Sequence, residues 1–283
     1  MTIAITGSTG QLGRLAIAAL KTRVPVAEII ALARDPAKAA DLGVTVRLAD
    51  YQKPETLLPA LKGVDTLVLI SSNDFSDRAG DHARVIAAAK TAGVGRIIYT
   101  SILKADASPM LLAGDHIKTE AMIKASGLPY TLLRNGWYTE NYTGSLGGSL
   151  AAGAMIGSSG EGRISAASRA DYAEAIAAVA AGAGHEGKTY ELGGDTAFTL
   201  AEMAAEVSKQ TGKTIPYNSL PADTYAGILQ GFGLPADFSA VLADSDVQAS
   251  KGHLHDTSKT LSRLIGRPTT PMAETVKAAL ASL

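Results

Sequence analysis

An apolar strand that runs into a turn with three glycines, and from there into a helix, constrains this chain more than any other feature. Residues Thr2 to Thr6 are apolar and β-prone, and Gly7-Ser8-Thr9-Gly10-Gln11-Leu12-Gly13 follows without a break. Leu12, Leu15, Ala16, Ala19 and Leu20 then recur at helical spacing. Each glycine has its own physical task. One permits a tight turn, one lets backbone N–H groups approach a pyrophosphate, and one lets helix and strand pack closely. The helix start offers unpaired N–H groups and a positive dipole end to an anion. A turn of this kind is suited to hold a dinucleotide.

The second strand, Glu28 to Ala33, ends in Arg34, where an acidic residue would hold the ribose 2′-OH of NAD. A planar guanidinium there can instead accept the 2′-phosphate of NADP through paired charge-assisted hydrogen bonds. NADPH is therefore the expected cofactor. A third strand, Val44 to Leu48, leads to Asp50-Tyr51, and further apolar runs follow at Leu67 to Ile70, Ile97 to Thr100 and Tyr130 to Arg134. Helical patterns lie between them near Glu55 to Leu61, Arg78 to Ala92 and Leu112 to Ala125. This alternation predicts an α/β fold, a Rossmann-like doubly wound parallel sheet over residues 1–134, with its crevice at the strand C-termini. Beyond about residue 135 the pattern changes to short strands, at Ala154 to Ile156, Thr189 to Leu192 and Thr214 to Tyr217, and helices at Arg169 to Ala181 and Ala201 to Gln210. Residues 135–283 are expected to form a smaller C-terminal α/β substrate lobe, partly interleaved with the first, since no linker separates the halves.

Composition removes several function classes. With Lys+Arg 26 against Asp+Glu 27, no global basic field attracts nucleic acid. Cysteine is absent, which removes disulfides, thiolate metal sites and cysteine nucleophiles. The five histidines form no compact ligand set, so no metal is expected. Apolar runs are broken well short of a membrane span, and the N-terminus enters the first strand without a leader pattern, so a cytoplasmic protein is expected.

The spacing G-x-x-G-x-x-G, in place of G-x-G-x-x-G, resembles the short-chain dehydrogenase/reductase superfamily. On that resemblance Asp50 lies beside the adenine amino group, and Ser101, in Tyr99-Thr100-Ser101, takes the position of the catalytic serine. The strand end Ile70-Ser71-Ser72-Asn73 lies along the pyrophosphate and nicotinamide ribose. The superfamily's Tyr-x-x-x-Lys pair is missing, because none of the nine tyrosines has lysine four residues later. At the corresponding place stands His116-Ile-Lys-Thr-Glu120, an i,i+4 pair on one helix face. Histidine can orient a ribose or donate a proton, with glutamate holding its tautomer, or the pair is a structural contact. An alcohol or ketone needs a strong proton donor on its oxygen, whereas an electron-poor acceptor such as a quinone takes hydride without one.

After the sixth strand the chain reads Arg134-Asn135-Gly136-Trp137-Tyr138-Thr139-Glu140-Asn141, a turn that suits the nicotinamide end of the crevice. Trp137 and Tyr138 can wall a flat ring, and Phe75, Phe232 and Tyr172 are further candidates. With the blocks Leu132 to Tyr138, Arg169-Ala170-Asp171-Tyr172-Ala173 and Asp244-Ser245-Asp246-Val247, nearly the whole chain resembles the NmrA-like group of atypical short-chain reductases, and within it the type 2 quinone oxidoreductases. The resemblance implies NADPH bound by Gly7, Ser8, Thr9, Gly10, Gln11, Leu12, Gly13, Arg34, Ile70, Ser71, Ser72 and the segment Asn135, Gly136, Trp137, Tyr138, Thr139 and Glu140. It implies two-electron hydride transfer to a quinone without flavin, with Ser101, His116 and Tyr138 as candidate catalytic residues. Triphenylmethane-dye reduction and NADP(H) sensing of the NmrA kind are the competing readings, and related proteins are monomers or homodimers.

Overall fold

A computed structural model describes residues 1–74 and 76–283. Near-continuous apolar runs become β1 (Ile3–Ile5), β2 (Ile29–Ala33), β3 (Thr45–Leu48), β4 (Thr66–Leu69), β5 (Arg96–Ile102) and β6 (Tyr130–Asn135), followed by β7 (Met155–Gly157), β8 (Lys188–Leu192) and β9 (Tyr217–Ser219). Seven of these form one sheet in the order β3-β2-β1-β4-β5-β6-β8. Every pairing in it is parallel, with Ile5 beside Ala31 and Val68, and Ile102 beside Asn135. The strand order turns back between β1 and β4. Connections leave in opposite directions there and open a crevice at the strand C-termini.

Helices cover both faces. On one, α1 (Gln11–Lys21) packs against α7 (Arg169–Ala181), and Ile3, Ile5, Ile17 and Leu20 join Tyr172, Ile176, Val179 and, from α11 (Thr260–Ile265), Leu261 in one core. On the other, α2 (Leu57–Leu61), α3 (Arg78–Ala92) and α4 (Ala113–Ser126) bury Leu57, Leu61, Val85, Ile86 and Ile123 against Leu67, Leu69, Ile97 and Tyr99. A third cluster belongs to the second half. There α5 (Glu140–Thr143), α6 (Leu146–Ala152), α8 (Leu200–Thr211), α9 (Ala222–Gly231), α10 (Ala236–Ser250) and α12 (Met272–Ala281) surround the two-stranded β7–β9 pair, with Trp137, Met155, Met203 and Val207 buried among them.

Several boundaries differ from the sequence expectation for local reasons. The helix expected over Glu55 to Leu61 begins as a 3-10 turn at Pro54–Thr56, and only Leu57–Leu61 is α-helical. The strand expected at Thr214 to Tyr217 starts at Tyr217 instead. Pro216 has no N–H to give a ladder, and its carbonyl accepts from Met155 N–H at 2.9 Å. Helices α9 and α10 add to the expected elements; each opens immediately after a proline, Pro221 and Pro235. Strand β8 returns from the second half to the edge of the main sheet. No helix among the described residues is long and apolar enough to cross a membrane.

Candidate active site

The first βα turn sets the geometry of the crevice. Gly7 has φ +59°, in left-handed backbone, and Gly10 N–H closes the turn on the Gly7 carbonyl at 3.0 Å. A Cβ on residue 13 would stand 2.2 Å from that carbonyl, so α1 can sit against the turn only because Gly13 has none. The result is a cleft of about 600 Å³. Gly7, Thr9, Gly10, Gln11, Leu12 and Gly13 form its floor, Arg34 and Asp50 stand at the ends of β2 and β3, and Ile70, Ser71 and Ser72 lie at the end of β4. Ser8, expected here, does not line the cleft: its buried hydroxyl donates to the Leu32 carbonyl at 2.8 Å and pins the turn to β2. Tyr51, Gln52, Asn73, Asp74 and Asp81 also line the cleft. Asn73 belongs to the β4 end expected along the pyrophosphate, whereas no motif marks Tyr51, Gln52, Asp74 or Asp81 as lining residues.

The end of β4 is held through its backbone. Ile70 N–H donates to Thr6 Oγ1 at 3.0 Å, Ser71 N–H to Thr100 Oγ1 at 2.9 Å, and Ser72 N–H to His82 Nε2 at 3.0 Å. Because His82 Nε2 accepts, its proton is assigned to Nδ1, which lies 2.9 Å from Thr119 Oγ1; that hydroxyl in turn donates to the Asp115 carbonyl. Burial, with the nearby Arg78 charge, pushes His82 down to about 3 and keeps it neutral.

A second cavity, of about 890 Å³, adjoins the first. Ile70, Ser71, Ser72, Asn73, Tyr138 and Arg169 line both, so the two spaces meet at those residues. The inner end of the second cavity carries Arg78, Thr100, Ser101, His116, Asn135, Gly136 and Trp137, while Met155, Tyr225, Leu229, Phe238 and Leu242 make the rest apolar. Tyr138 faces the junction with the Arg169 guanidinium 4.6 Å from its ring centroid, and burial raises its phenol. Trp137 and Tyr138 thus both line the second cavity. Phe232 joins them at an exposed position. Tyr172 does not: it is fully buried behind Tyr138, with its hydroxyl donating to the Leu192 carbonyl at 3.2 Å. Phe75 lies outside the described residues. Thr139 and Glu140 line neither cavity; Glu140 accepts from Arg169 N–H at 2.9 Å and helps to fix Arg169 in place.

His116 is buried at the inner end, but Glu120 is not its partner. The Tyr99 hydroxyl lies 2.8 Å from His116 Nδ1. With the phenol as donor, the imidazole proton is assigned to Nε2. Burial and the charge of Arg78 lower His116 well below the usual histidine range, so it is a neutral hydrogen-bond donor. Glu120 is taken by a stronger partner: Arg134 grips it at 2.9 Å (Nε to Oε1) and 2.7 Å (Nη2 to Oε2). Ser101 Oγ donates to the same carboxylate at 2.6 Å. A buried carboxylate within reach of a buried guanidinium pairs with it before it pairs with a neutral imidazole. Ser101 therefore lines the cavity with its proton already committed. Asp106 and Glu191, each 2.9 Å from Arg134 Nη1, complete the network, and Glu120 first, with these two, holds that guanidinium above its usual value.

A family model described as NAD(P)H-binding matches residues 7–182. Quinone oxidoreductase 2 of Escherichia coli (strain K12) is 54% identical over 277 residues, 97% of each chain. The NAD(P)H azoreductase of Xenophilus azovorans is 28% identical over 281 residues, covering 98% of this chain and 97% of that one. Among solved structures, the Escherichia coli NADPH-dependent quinone oxidoreductase complexed with NADPH superposes with a TM-score of 0.96 at 54% identity, over 99% of this chain and 100% of that one. The Citrobacter triphenylmethane reductase complexed with NADP(H) gives 0.93 at 38% identity, over 98% of this chain and 100% of that one.

Proposed function

The chain belongs to the NAD(P)H-binding, NmrA-like family, and on that premise we infer that it is an NADPH-dependent quinone oxidoreductase. The meeting of the two cavities carries this reading: a glycine-cradled cleft opens onto an aromatic-walled, mostly apolar space at Ile70–Asn73, Tyr138 and Arg169. The residues present fit the cofactor, because Gly13, with no Cβ to meet the Gly7 carbonyl, lets the start of α1 sit against the turn and form the cleft floor with Gly7 and Gly10. Bound NADPH supplies the hydride. Arg34, at the end of β2, would receive its 2′-phosphate, and Gly10 to Leu12, at the start of α1, would hold its pyrophosphate. Tyr138 at the junction and Trp137 in the second cavity wall a flat acceptor and exclude water from it.

The proton chemistry is modest. His116, neutral with its proton on Nε2, can donate a hydrogen bond to a substrate oxygen but is too weak an acid to be an obligatory proton source. Ser101, committed to Glu120, adds little. Such a site suits a quinone, which needs no strong acid, better than a simple ketone. The test is steady-state oxidation of NADPH, with NADH in parallel, against benzoquinones, naphthoquinones, a triphenylmethane dye and simple ketones, without added flavin. Turnover with quinones, faster with NADPH and absent with ketones, is expected. Tight NADP(H) binding without turnover of any acceptor would overturn the enzyme reading in favour of a redox sensor.

A further inference from the structure

The second cavity has a charge asymmetry that hydride delivery and ring stacking leave unexplained. Arg78 and Arg169 line it, and no aspartate or glutamate does among the described residues. Arg169 works at the junction, where it donates to Asn141 Oδ1 at 2.8 Å, lies 3.8 Å from Glu140 and covers the Tyr138 ring. Arg78 stands apart from that group. It is the first residue of α3, its side chain is only 4% exposed, and it lines the inner end together with His116, Thr100 and Trp137. A buried guanidinium stays charged at any working pH. Beside His116, Thr100 and Ser101, and opposed in part by Asp115 and Asp74, its field acts on the occupant of the cavity more strongly than it would in bulk water.

A neutral quinone gains little from such a charge. The same ring after reduction gains much more. We propose that Arg78 is a catalytic residue that stabilises the oxyanion developing on the quinone as it is reduced, with the Nε2–H of His116 as the hydrogen-bond donor beside it. The proposal rests on the quinone-reductase reading. The hydride brings two electrons and one hydrogen nucleus to the quinone, whose oxygen takes the negative charge. The resulting hydroquinone monoanion becomes hydroquinone by taking one proton from water. Arg78 and His116 give up no proton in this scheme. They lower the energy of the charged form, which is where electrostatic stabilisation is worth most.

The sole tryptophan, Trp137, lines the same cavity, so its fluorescence reports occupancy without turnover. Two probes are titrated into the protein saturated with NADP⁺: lawsone, a hydroxynaphthoquinone ionised at neutral pH, and menadione, its neutral methyl counterpart. Wild type is expected to hold lawsone more tightly. Arg78→Met is expected to weaken lawsone by roughly tenfold or more, the scale for hydrogen bonds to charged groups, while moving menadione by less than about twofold. Arg78→Lys should keep most of the preference for the anion, and Arg78→Met should lower kcat for menadione with little change in its KM. Equal weakening of both probes would make Arg78 structural, and no weakening of either would remove it from the site. Either result overturns the proposal. If Arg78→Met does not fold, Arg78→Gln takes its place in the same two titrations, and equal affinity of wild type for the two probes still refutes the proposal, being incompatible with an oxyanion site. Quinone turnover by a wild type that shows no such preference would refute this inference and leave the quinone-reductase reading intact. A wild type that turns over no quinone overturns both.

Discussion

Single residues at this site divide into those that a motif announces and those that only packing reveals. Arg34 belongs to the first kind, since a guanidinium after β2 is read directly from its place in the chain, and it lines the cleft. Arg34→Ala is expected to weaken NADPH by about 1.5 to 3 kcal/mol, the worth of hydrogen bonds to a charged group, and to leave NADH nearly unchanged. Parallel titrations of both cofactors check this, and equal losses would remove Arg34 from phosphate recognition. His116 was legible as a position but not in its chemistry. Spacing pairs it with Glu120, whereas Tyr99, on β5, supplies the actual partner. Glu120 answers to Arg134, also a strand residue. Helix spacing reports neighbours on one face and is silent about what the sheet presents to them. His116→Gln is expected to retain measurable quinone turnover, because a neutral imidazole and an amide N–H both donate one hydrogen bond to an oxygen. Complete loss of turnover with NADPH affinity intact would make His116 the proton source.

Among the elements, the strands of the first half were legible because strands covered on both faces must be apolar along their length. Helices α9 and α10 were not. Residues of α9 reach no core, none of them being buried, and Tyr225 and Leu229 face the cavity instead. Tyr225, Leu229 and Phe232 recur at helical spacing, but the face they form covers a binding space and not a core, which the spacing alone does not tell. The block Asp244 to Val247 acquires a physical meaning within α10. Asp244 Oδ2 accepts from Leu111 N–H at 2.8 Å, and Asp246 accepts from Ser158 N–H at 2.8 Å and from the Tyr142 hydroxyl at 3.4 Å. The two carboxylates thus tie α10 to both sides of the cavity. Burial raises Asp246 to about 6, above the roughly 3.9 of an unfolded aspartate. Folding therefore favours its protonated form, and that contribution is present at low pH and lost as pH rises through about 6. Asp246→Asn, which removes the charge and keeps an acceptor for Ser158, is expected to gain on wild type as pH rises, by at most about 3 kcal/mol well above the shifted value. Urea midpoints of both proteins at mildly acidic and mildly alkaline pH check this; a constant difference between them would show that Asp246 does not titrate in that range.

At the scale of the whole molecule, the core runs across the boundary that the sequence suggests near residue 134. The first half supplies the cleft floor, yet Tyr138 and Arg169 close the cleft, Tyr172 and Ile176 complete the core on α1, and β8 extends the sheet. NADPH at roughly a hundred times its Kd is expected to stabilise the protein by about 2.7 kcal/mol in a single shifted unfolding transition. Two calorimetric transitions, of which NADPH moves only one, would show that the halves fold independently. Composition and strand alternation made the first half legible, while the interleaving followed from contacts between residues far apart in sequence, such as Ile17 with the helix that begins at Arg169. That crossing also bears on how the protein is made. When β6 leaves the ribosome, the strands that build the nucleotide cleft are already present, but the helix that shields α1 and one face of β1 has not been synthesised. Ile3, Ile5, Ile17 and Leu20 then wait uncovered until α7 emerges. A growing chain at that stage is sticky, and how long it stays so is set by the speed at which residues 136–181 are translated.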